Sequence, residues 1–318
     1  MGRALPARSC RLVVAVNRDV TASLLANAAQ HSSTGGSPSV RNRAALREAM
    51  ARLVVVVGNA WARALVSIAM LVLMCAAAAQ AVSLTQIGAG LALDPEQISL
   101  SGISSGAYMA QQFHVAHSAH IIGVGLVAGG PYRCAAGVYP PYSWLDLSGL
   151  YAATSKCSNT NPFWIFQGPP DIEFSRRETS RASVARAIDD PRNMHADRVW
   201  LFSGGADNTV PATVVDALAG YYRSYTQASN VHIERIVGAG HAMITDDFGN
   251  ACATSKSPFI SNCKFDAAGK MLAHIHGPLQ PAVAASGLTR VLAFDQHAFF
   301  ERGDASVSLH ALGHVYIP

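Results

Sequence analysis

The stretch that decides the fold runs from Ile98 to Ser118 and reads ISLSGISSGAYMAQQFHVAHS. Its opening ISLS is typical of a strand, and AYMAQQFHVAHS near its end is typical of a helix. Between them lies Gly102-Ile103-Ser104-Ser105-Gly106, which matches the pattern G-x-S-x-G. In this pattern the serine occupies a strained turn from strand to helix, and the two glycines let strand and helix approach each other closely. The stretch therefore predicts a strand, a sharp turn at Ser104 and a helix from Ser105.

Such a turn has a chemical use. It lifts the hydroxyl of Ser104 clear of the strand, where the oxygen can act as a nucleophile. The backbone N–H of Ser105 would then be one oxyanion donor, helped by the positive end of the helix dipole. The alternative interpretation is a Gly/Ser turn without chemistry. The strand before the motif and the helix after it favour the first interpretation.

Two later segments supply a carboxylate and an imidazole. VWLFSGGADNTVP predicts a strand over 199–202 with Asp207 on the following turn, and HIERIVGAGHAM predicts a strand over 233–237 followed by His241. The order Ser, Asp, His is that of an α/β-hydrolase. Asp207 would orient the imidazole, and His241 would take the Ser104 proton and return it to a leaving alcohol.

Other acidic residues and histidines compete for these roles. Asp246 and Asp247 follow His241 without a strand before them, which is typical of surface residues, and loop or helix-end positions favour capping for Asp171, Asp189 and Asp190. The run His114, His117 and His120 has the spacing H-x-x-H-x-x-H, but no carboxylate accompanies it at ligand spacing. The sequence predicts neither a metal nor a cofactor.

Strand-like and helix-like segments alternate along the chain, which predicts an α/β fold with a mostly parallel sheet flanked by helices. Further strands are expected over 121–127, 198–203 and 231–237, with β-like segments over 291–294 and 307–317. Further helices are expected over 178–188, 213–225 and 266–275. Residues 82–318 are interpreted as one catalytic domain.

The amino-terminal part predicts export. Residues 50–81 contain arginines, an apolar run and Ala79-Gln80-Ala81, the layout of a signal peptide cleaved after Ala81. The alternative is a membrane anchor, for which the apolar run is short. Residues 1–49 are interpreted as a disordered, over-called extension that precedes a true start at Met50, with an unusually long n-region of the signal peptide as the alternative. The mature protein is expected to be secreted, with the periplasm as the alternative, and not to associate stably with a membrane.

Charge and cysteine content change once residues 1–81 are removed. That leaves 15 of the 24 basic and 18 of the 20 acidic residues, a formal charge of −3, which argues against nucleic-acid binding. Four cysteines remain, and in an exported chain they predict two disulfides with three alternative pairings. Local pairing, Cys134–Cys157 and Cys252–Cys263, is favoured because each bond closes a loop. A zinc site competes, but the chain has no C-x-x-C spacing.

The position of Ser104 in the chain is unusual for this fold. It lies close to the predicted mature start at Val82, so the strands that normally precede the turn are missing from the front, while 77 residues follow His241. Together these observations predict a circular permutation that moves the leading strands to the carboxyl terminus. The segment 288–318 would hold the first of them.

At this point the chain resembles the extracellular poly(3-hydroxybutyrate) depolymerases of the small, single-domain, circularly permuted type. The matching segments are LSGISSGAYMAQQFHVAHS, VGLVAGGPYRCA, VWLFSGGADNTVP, GAGHAM, CATSKSPFISNCKFDAAGKML, HGPLQP and FDQHAFF. The resemblance implies an exported carboxylesterase acting on polymeric or oligomeric 3-hydroxybutyrate esters, with Ser104, Asp207 and His241 as its triad.

The chain departs from the family at its end. After a segment like GHVYIP, the family continues into a strand ending in His-Gly-Cys, whose turn supplies the second oxyanion donor, whereas this chain stops at Pro318. The resemblance therefore implies a truncated member. Two alternatives remain open: an esterase for feruloyl or acetyl groups of plant walls, and an inactive fragment that folds poorly or binds polymer without cleaving it.

Overall fold

The computed structural model describes residues 13–16, 87–88, 91, 93–136, 153–158, 168–280, 291–299 and 310–316. The chain divides into two compact units, of which the first comprises 1–24 and 88–288 and the second comprises 25–87 and 289–317. The predicted signal peptide over 50–81 lies outside the described residues. No helix in the described ranges is long and apolar enough to cross a membrane.

The first unit is built on a five-stranded parallel sheet, as the alternation of segments predicts. Its strands are β1 (Val13–Val16), β2 (Ile98–Ile103), β3 (Ile121–Val127), β4 (Arg198–Gly204) and β5 (Val231–Ile236), and their order across the sheet is the order along the chain. Neighbouring pairs are all parallel. All carboxyl ends of the strands therefore lie at one edge of the sheet.

In the part of the chain that the structure describes, four helices accompany this sheet: α1 (Ser105–Ala116), α2 (Ile172–Val184), α3 (Ala212–Tyr222) and α4 (Ala267–His276). Helix α1 packs on β2 and β3, α3 on β4 and β5, and α4 on β3 and β4. The predicted helix over 178–188 is wrong at both ends. Helix α2 begins earlier because the Asp171 carboxylate accepts the backbone N–H of Phe174 at 3.0 Å and so caps its first turn.

The core lies around the two central strands. In β4 the residues Val199, Trp200, Leu201 and Phe202 are all buried, which is typical of a parallel strand covered on both faces. On β3, Gly123 and Gly125 leave room for α4, since a Cβ at either position would overlap the side chain of Ile275 or Met271. Helix α4 can therefore approach the sheet closely.

A small second sheet follows β5. It consists of β6 (Met243–Thr245), β7 (Asn250–Ala251) and β8 (Ile260–Asn262) in the order β6-β8-β7, with parallel pairing. These short strands are not predicted from the sequence. The disulfide Cys252–Cys263 closes the segment that carries β8, and Cys134–Cys157 is also formed. Local pairing of the four cysteines is thus confirmed.

Residues 13–16 differ from the expectation of disorder over 1–49. Their sequence VVAV forms the edge strand β1, in parallel register with β2 from Val13 opposite Ser99 to Val16 opposite Gly102. Three valines in four residues suit a strand, because β-branched side chains favour extended backbone. The remainder of 1–49 lies outside the described residues, and its interpretation as an over-called extension stays a prediction.

The second unit contains an antiparallel pair, β9 (Val291–Asp295) and β10 (Leu312–Tyr316). The register places Val291 opposite Tyr316 and Asp295 opposite Leu312. Two β-segments were predicted here, the second as the longer range 307–317. The circular permutation and the single domain over 82–318 stay predictions.

A buried polar cluster joins α1 to α3. His114 is fully buried, its Nδ1 lies 3.0 Å from the Tyr222 hydroxyl, and its Nε2 lies 3.0 Å from Oδ2 of Asp197. Both ring nitrogens are thus occupied inside the core. His114 is therefore a buried structural residue, and its carboxylate partner comes from a distant segment that the local spacing does not reveal.

We expect His114→Ala to lower the free energy of unfolding by about 3–5 kcal/mol, because it leaves the Asp197 carboxylate buried without its partner. His120→Ala is the control, since His120 is exposed and should change stability by less than about 0.5 kcal/mol. Urea denaturation of the two variants measures the difference. Equal stability in both variants would contradict a structural role for the buried cluster.

Candidate active site

The turn at Ser104 joins the end of β2 to the start of α1. Ser104 has φ 54° and ψ −124°, a positive-φ conformation that non-glycine residues rarely adopt. Its N–H donates to the carbonyl of Val127 at the end of β3 (2.9 Å), and its carbonyl accepts the N–H of Tyr108 (3.0 Å). The Ser104 side chain makes no capping bond to the helix. The strained backbone is therefore held by hydrogen bonds on both sides, as in a nucleophile elbow.

Glycines make this turn possible. A Cβ on Gly102 would lie 2.3 Å from the carbonyl carbon and oxygen of Gly106, so strand and helix contact each other through their backbones. Ser105, the first residue of α1, is exposed, and its N–H precedes the first intrahelical bond, from Tyr108 to Ser104. Such an N–H at a helix start points toward any anion bound there. The oxyanion role of Ser105 stays a prediction.

The structure brings Asp207 and His241 together. Nδ1 of His241 lies 2.7 Å from Oδ2 of Asp207, and both side chains are almost fully buried, at 6% and 1% exposed. Oδ1 of Asp207 accepts the N–H groups of Thr209 (2.8 Å) and Val210 (2.9 Å). With both carboxylate oxygens engaged, Asp207 is fixed in place, and it selects the tautomer in which Nε2 is free to accept a proton.

Backbone hydrogen bonds connect the turns that carry these two residues. Gly205 N–H donates to the carbonyl of Ile236 (2.9 Å), and Ala206 N–H donates to that of Ala239 (2.9 Å). Gly204 has no room for a side chain, because a Cβ there would overlap the carbonyl of Ala239. The turn after β4 and the turn after β5 are therefore packed directly against each other. Like Ser104, Asp207 and His241 both follow carboxyl ends of strands in this sheet.

Tyr108 belongs to the same region and was not found from the sequence. It lies one helical turn after Ser104, and its hydroxyl donates to the carbonyl of Cys157 at 2.8 Å. Burial raises the pKa of Tyr108 far above its usual value, and the negative charge of Asp207 raises the pKa further. The phenol therefore stays protonated and keeps donating its hydrogen bond. It connects α1 to the loop closed by Cys134–Cys157.

The rival residues lie elsewhere. Asp246 and Asp247 are exposed. Asp171 and Asp190 cap the starts of helical segments, and Asp189 accepts the N–H of Ala119 at 3.0 Å. Within the described ranges, no three His, Cys, Asp or Glu side chains are grouped to hold a metal ion. The pair of His114 and Asp197 resembles that of His241 and Asp207, but its second ring nitrogen is occupied by Tyr222.

Comparisons with known proteins place this site in context. No family model matches the chain. The chain is 36% identical over 255 residues to the poly(3-hydroxybutyrate) depolymerase of Delftia acidovorans, an alignment that covers 76% of this chain and 47% of that protein. It is 31% identical over 257 residues to the polyhydroxybutyrate depolymerase of Talaromyces funiculosus, covering 80% and 67%. The chain thus spans about half the length of the first relative.

Solved structures give the same likeness. The crystal structure of PHB depolymerase from Penicillium funiculosum is similar with a TM-score of 0.56 and 29% identity, over 71% of this chain and 64% of that one. The same values hold for a PHB depolymerase with a serine-to-alanine substitution, complexed with an R3HB trimer. Sequence and fold therefore point to one family.

We expect Gly102→Ala to lower the free energy of unfolding by about 3 kcal/mol, because the added Cβ must push β2 and α1 apart. The matched control is Gly238→Ala. Gly238 lies in the turn before His241, and a Cβ there meets nothing within 4 Å. The control should be neutral or slightly more stable. Urea denaturation checks both variants, and equal effects would contradict the tight approach at the elbow.

Proposed function

The chain belongs to the polyhydroxybutyrate depolymerase family, and from that premise we propose that it is a serine carboxylesterase hydrolysing poly(3-hydroxybutyrate) or its oligomers. The observation that carries the proposal is the 2.7 Å contact between His241 Nδ1 and Asp207 Oδ2, at the sheet edge where the Ser104 turn also lies. The R3HB trimer complexed with a PHB depolymerase of similar fold supports an oligoester of 3-hydroxybutyrate as the substrate class.

In the proposed reaction, Oγ of Ser104 attacks the carbonyl carbon of the ester, and Nε2 of His241 takes the hydroxyl proton. The imidazolium that forms is stabilised by Asp207, which remains ionised while its Oδ2 accepts the Nδ1–H. Since Asp207 already accepts two backbone N–H groups, it needs little rearrangement as charge develops on His241.

The attack turns the carbonyl oxygen into an oxyanion. We assign the N–H of Ser105 as one donor to it, supported by the dipole of α1, whose first turn begins at that residue. Collapse of the intermediate expels the alcohol of the next monomer, which takes the proton from His241, and leaves Ser104 acylated. Water, deprotonated by His241, then attacks the acyl group, the bond to Ser104 Oγ breaks as that oxygen takes the proton back from His241, and a 3-hydroxybutyrate end is released.

The proposed site of action is outside the cytoplasm. Cys134–Cys157 and Cys252–Cys263 are both oxidised, which suits an exported protein because the cytosol keeps thiols reduced. An exported enzyme is also the kind of enzyme that encounters a solid or oligomeric polyester as its substrate. The proposed partner is therefore this substrate, with neither nucleic acid nor membrane involved.

We expect Ser104→Ala to lower kcat on p-nitrophenyl butyrate by about 10,000-fold or more, because the nucleophile is lost. Ser105→Ala is the control, since Ser105 is proposed to act through its backbone N–H, and it should keep most of the activity. Hydrolysis is followed by release of p-nitrophenol. An active Ser104→Ala beside an inactive Ser105→Ala would refute the assignment.

The substrate class is tested by chromatography. The protein should release 3-hydroxybutyrate from its linear trimer and from amorphous polymer, with little release of ferulate from methyl ferulate. The reverse preference would favour the plant-wall alternative. Hydrolysis of the trimer without hydrolysis of the polymer would limit the proposal to oligomers.

We expect Asp207→Asn to lower kcat by about 10,000-fold while the fold is kept, because an amide at this position favours the wrong tautomer of His241. Asp247→Asn should be nearly neutral, since Asp247 is exposed. Steady-state kinetics with circular dichroism as a check of folding makes the comparison. An inactive Asp247→Asn and an active Asp207→Asn would transfer the acid role to Asp247.

A further inference from the structure

The segment closed by Cys252–Cys263 lies directly against the residues around His241. Gly240 N–H donates to the carbonyl of Cys252 at 2.9 Å, and Met243 N–H donates to the carbonyl of Phe259 at 2.8 Å. Between these two contacts, the N–H of His241 itself donates to Oγ of Ser255 at 2.8 Å. The backbone on both sides of the imidazole is thus bonded to one disulfide-closed segment.

The contact to Ser255 differs from the other two because it is made by a side chain. His241 is a buried residue, 5% exposed, so its N–H would lose a hydrogen bond if the hydroxyl were absent. Ser255 itself is exposed and lies outside the helices and strands. An exposed loop serine has little packing to provide, so its contribution here is the hydroxyl that accepts the His241 N–H.

The surroundings require this close contact. A Cβ on Gly240 would lie 2.6 Å from the carbonyl oxygen of Ala253 and 2.8 Å from Oγ of Ser255, so a side chain at position 240 would displace the segment. The ring of Phe259 approaches the imidazole edge-on, with 6.5 Å between centroids and an angle of 82°. The same segment therefore confines the imidazole of His241 and holds its backbone.

The segment is itself held in shape. Besides the disulfide, Oγ of Ser261 donates to the carbonyl of Thr254 at 3.1 Å, and Nδ2 of Asn250 donates to that of Lys256 at 3.1 Å. These bonds lie on either side of Ser255 in the chain. The backbone that carries the Ser255 hydroxyl is therefore fixed. A fixed acceptor can in turn hold the His241 N–H in place.

We propose that Ser255 is a positioning residue for His241, an inference that rests on the proposed function. By accepting the His241 N–H, its hydroxyl holds the backbone from which the imidazole extends, and so keeps Nδ1 at 2.7 Å from Asp207. Small displacements of a reacting group reduce the rate far more than they reduce binding. Ser255 therefore acts on kcat rather than on KM.

The experiment compares Ser255→Ala, Ser255→Thr and Ser257→Ala in the full-length chain. Ser257 is an exposed serine of the same segment and serves as the matched control. On p-nitrophenyl butyrate, we expect Ser255→Ala to lower kcat about tenfold with KM unchanged. Ser255→Thr keeps the hydroxyl and should retain most of the parent kcat. Ser257→Ala should match the parent.

A second readout does not depend on turnover. The proton shared by His241 Nδ1 and Asp207 gives a downfield proton NMR signal, and in Ser255→Ala this signal should exchange faster with water than in the parent and in Ser257→Ala. An active parent with equal kcat and equal exchange in Ser255→Ala would overturn the positioning role. An inactive parent whose signal still responds to Ser255→Ala would refute the proposed function and leave the positioning role supported.

Discussion

The close approach of β2 and α1 at Gly102 and Gly106 is the constraint on which the rest of the site depends. It forces Ser104 into a strained backbone conformation with positive φ, which persists because Val127 and Tyr108 bond its N–H and carbonyl. The same approach sets the direction of α1, and hence the direction of its positive end. Ser104 and Ser105, the proposed nucleophile and the proposed oxyanion donor, are neighbours in the chain, so one turn positions both.

Much of this arrangement could be predicted from local sequence because it is encoded locally. The elbow, the turn of Asp207 and the turn of His241 each follow a short strand, with glycines beside the turn, and strand β3 has the predicted bounds. Glycine requirements come from backbone contacts within a few residues or between adjacent strands. The family resemblance rests on the same segments.

The parts that were missed depend on contacts between distant segments. Nothing near His114 reveals that Asp197 and Tyr222 complete its hydrogen bonds, and nothing near Tyr108 reveals Cys157. The short strands β6 and β7 both pair with β8, which lies inside the Cys252–Cys263 segment, and two or three residues carry too little periodicity to be recognised. The predicted start of α2 lies too late in the chain. The position of Asp171 indicates capping, but the prediction does not begin the helix there.

The chain order of the central sheet has a consequence for the timing of assembly. From β2 to β5 each new strand is added beside the one just made, so the sheet can grow in one direction as the polypeptide lengthens. The turn of Ser104 is completed first, but its hydroxyl remains an ordinary alcohol. In the proposed mechanism it gains a base only when β5 has docked and delivers His241 to Asp207. Under the proposed mechanism, a half-made or partly unfolded chain is therefore chemically silent.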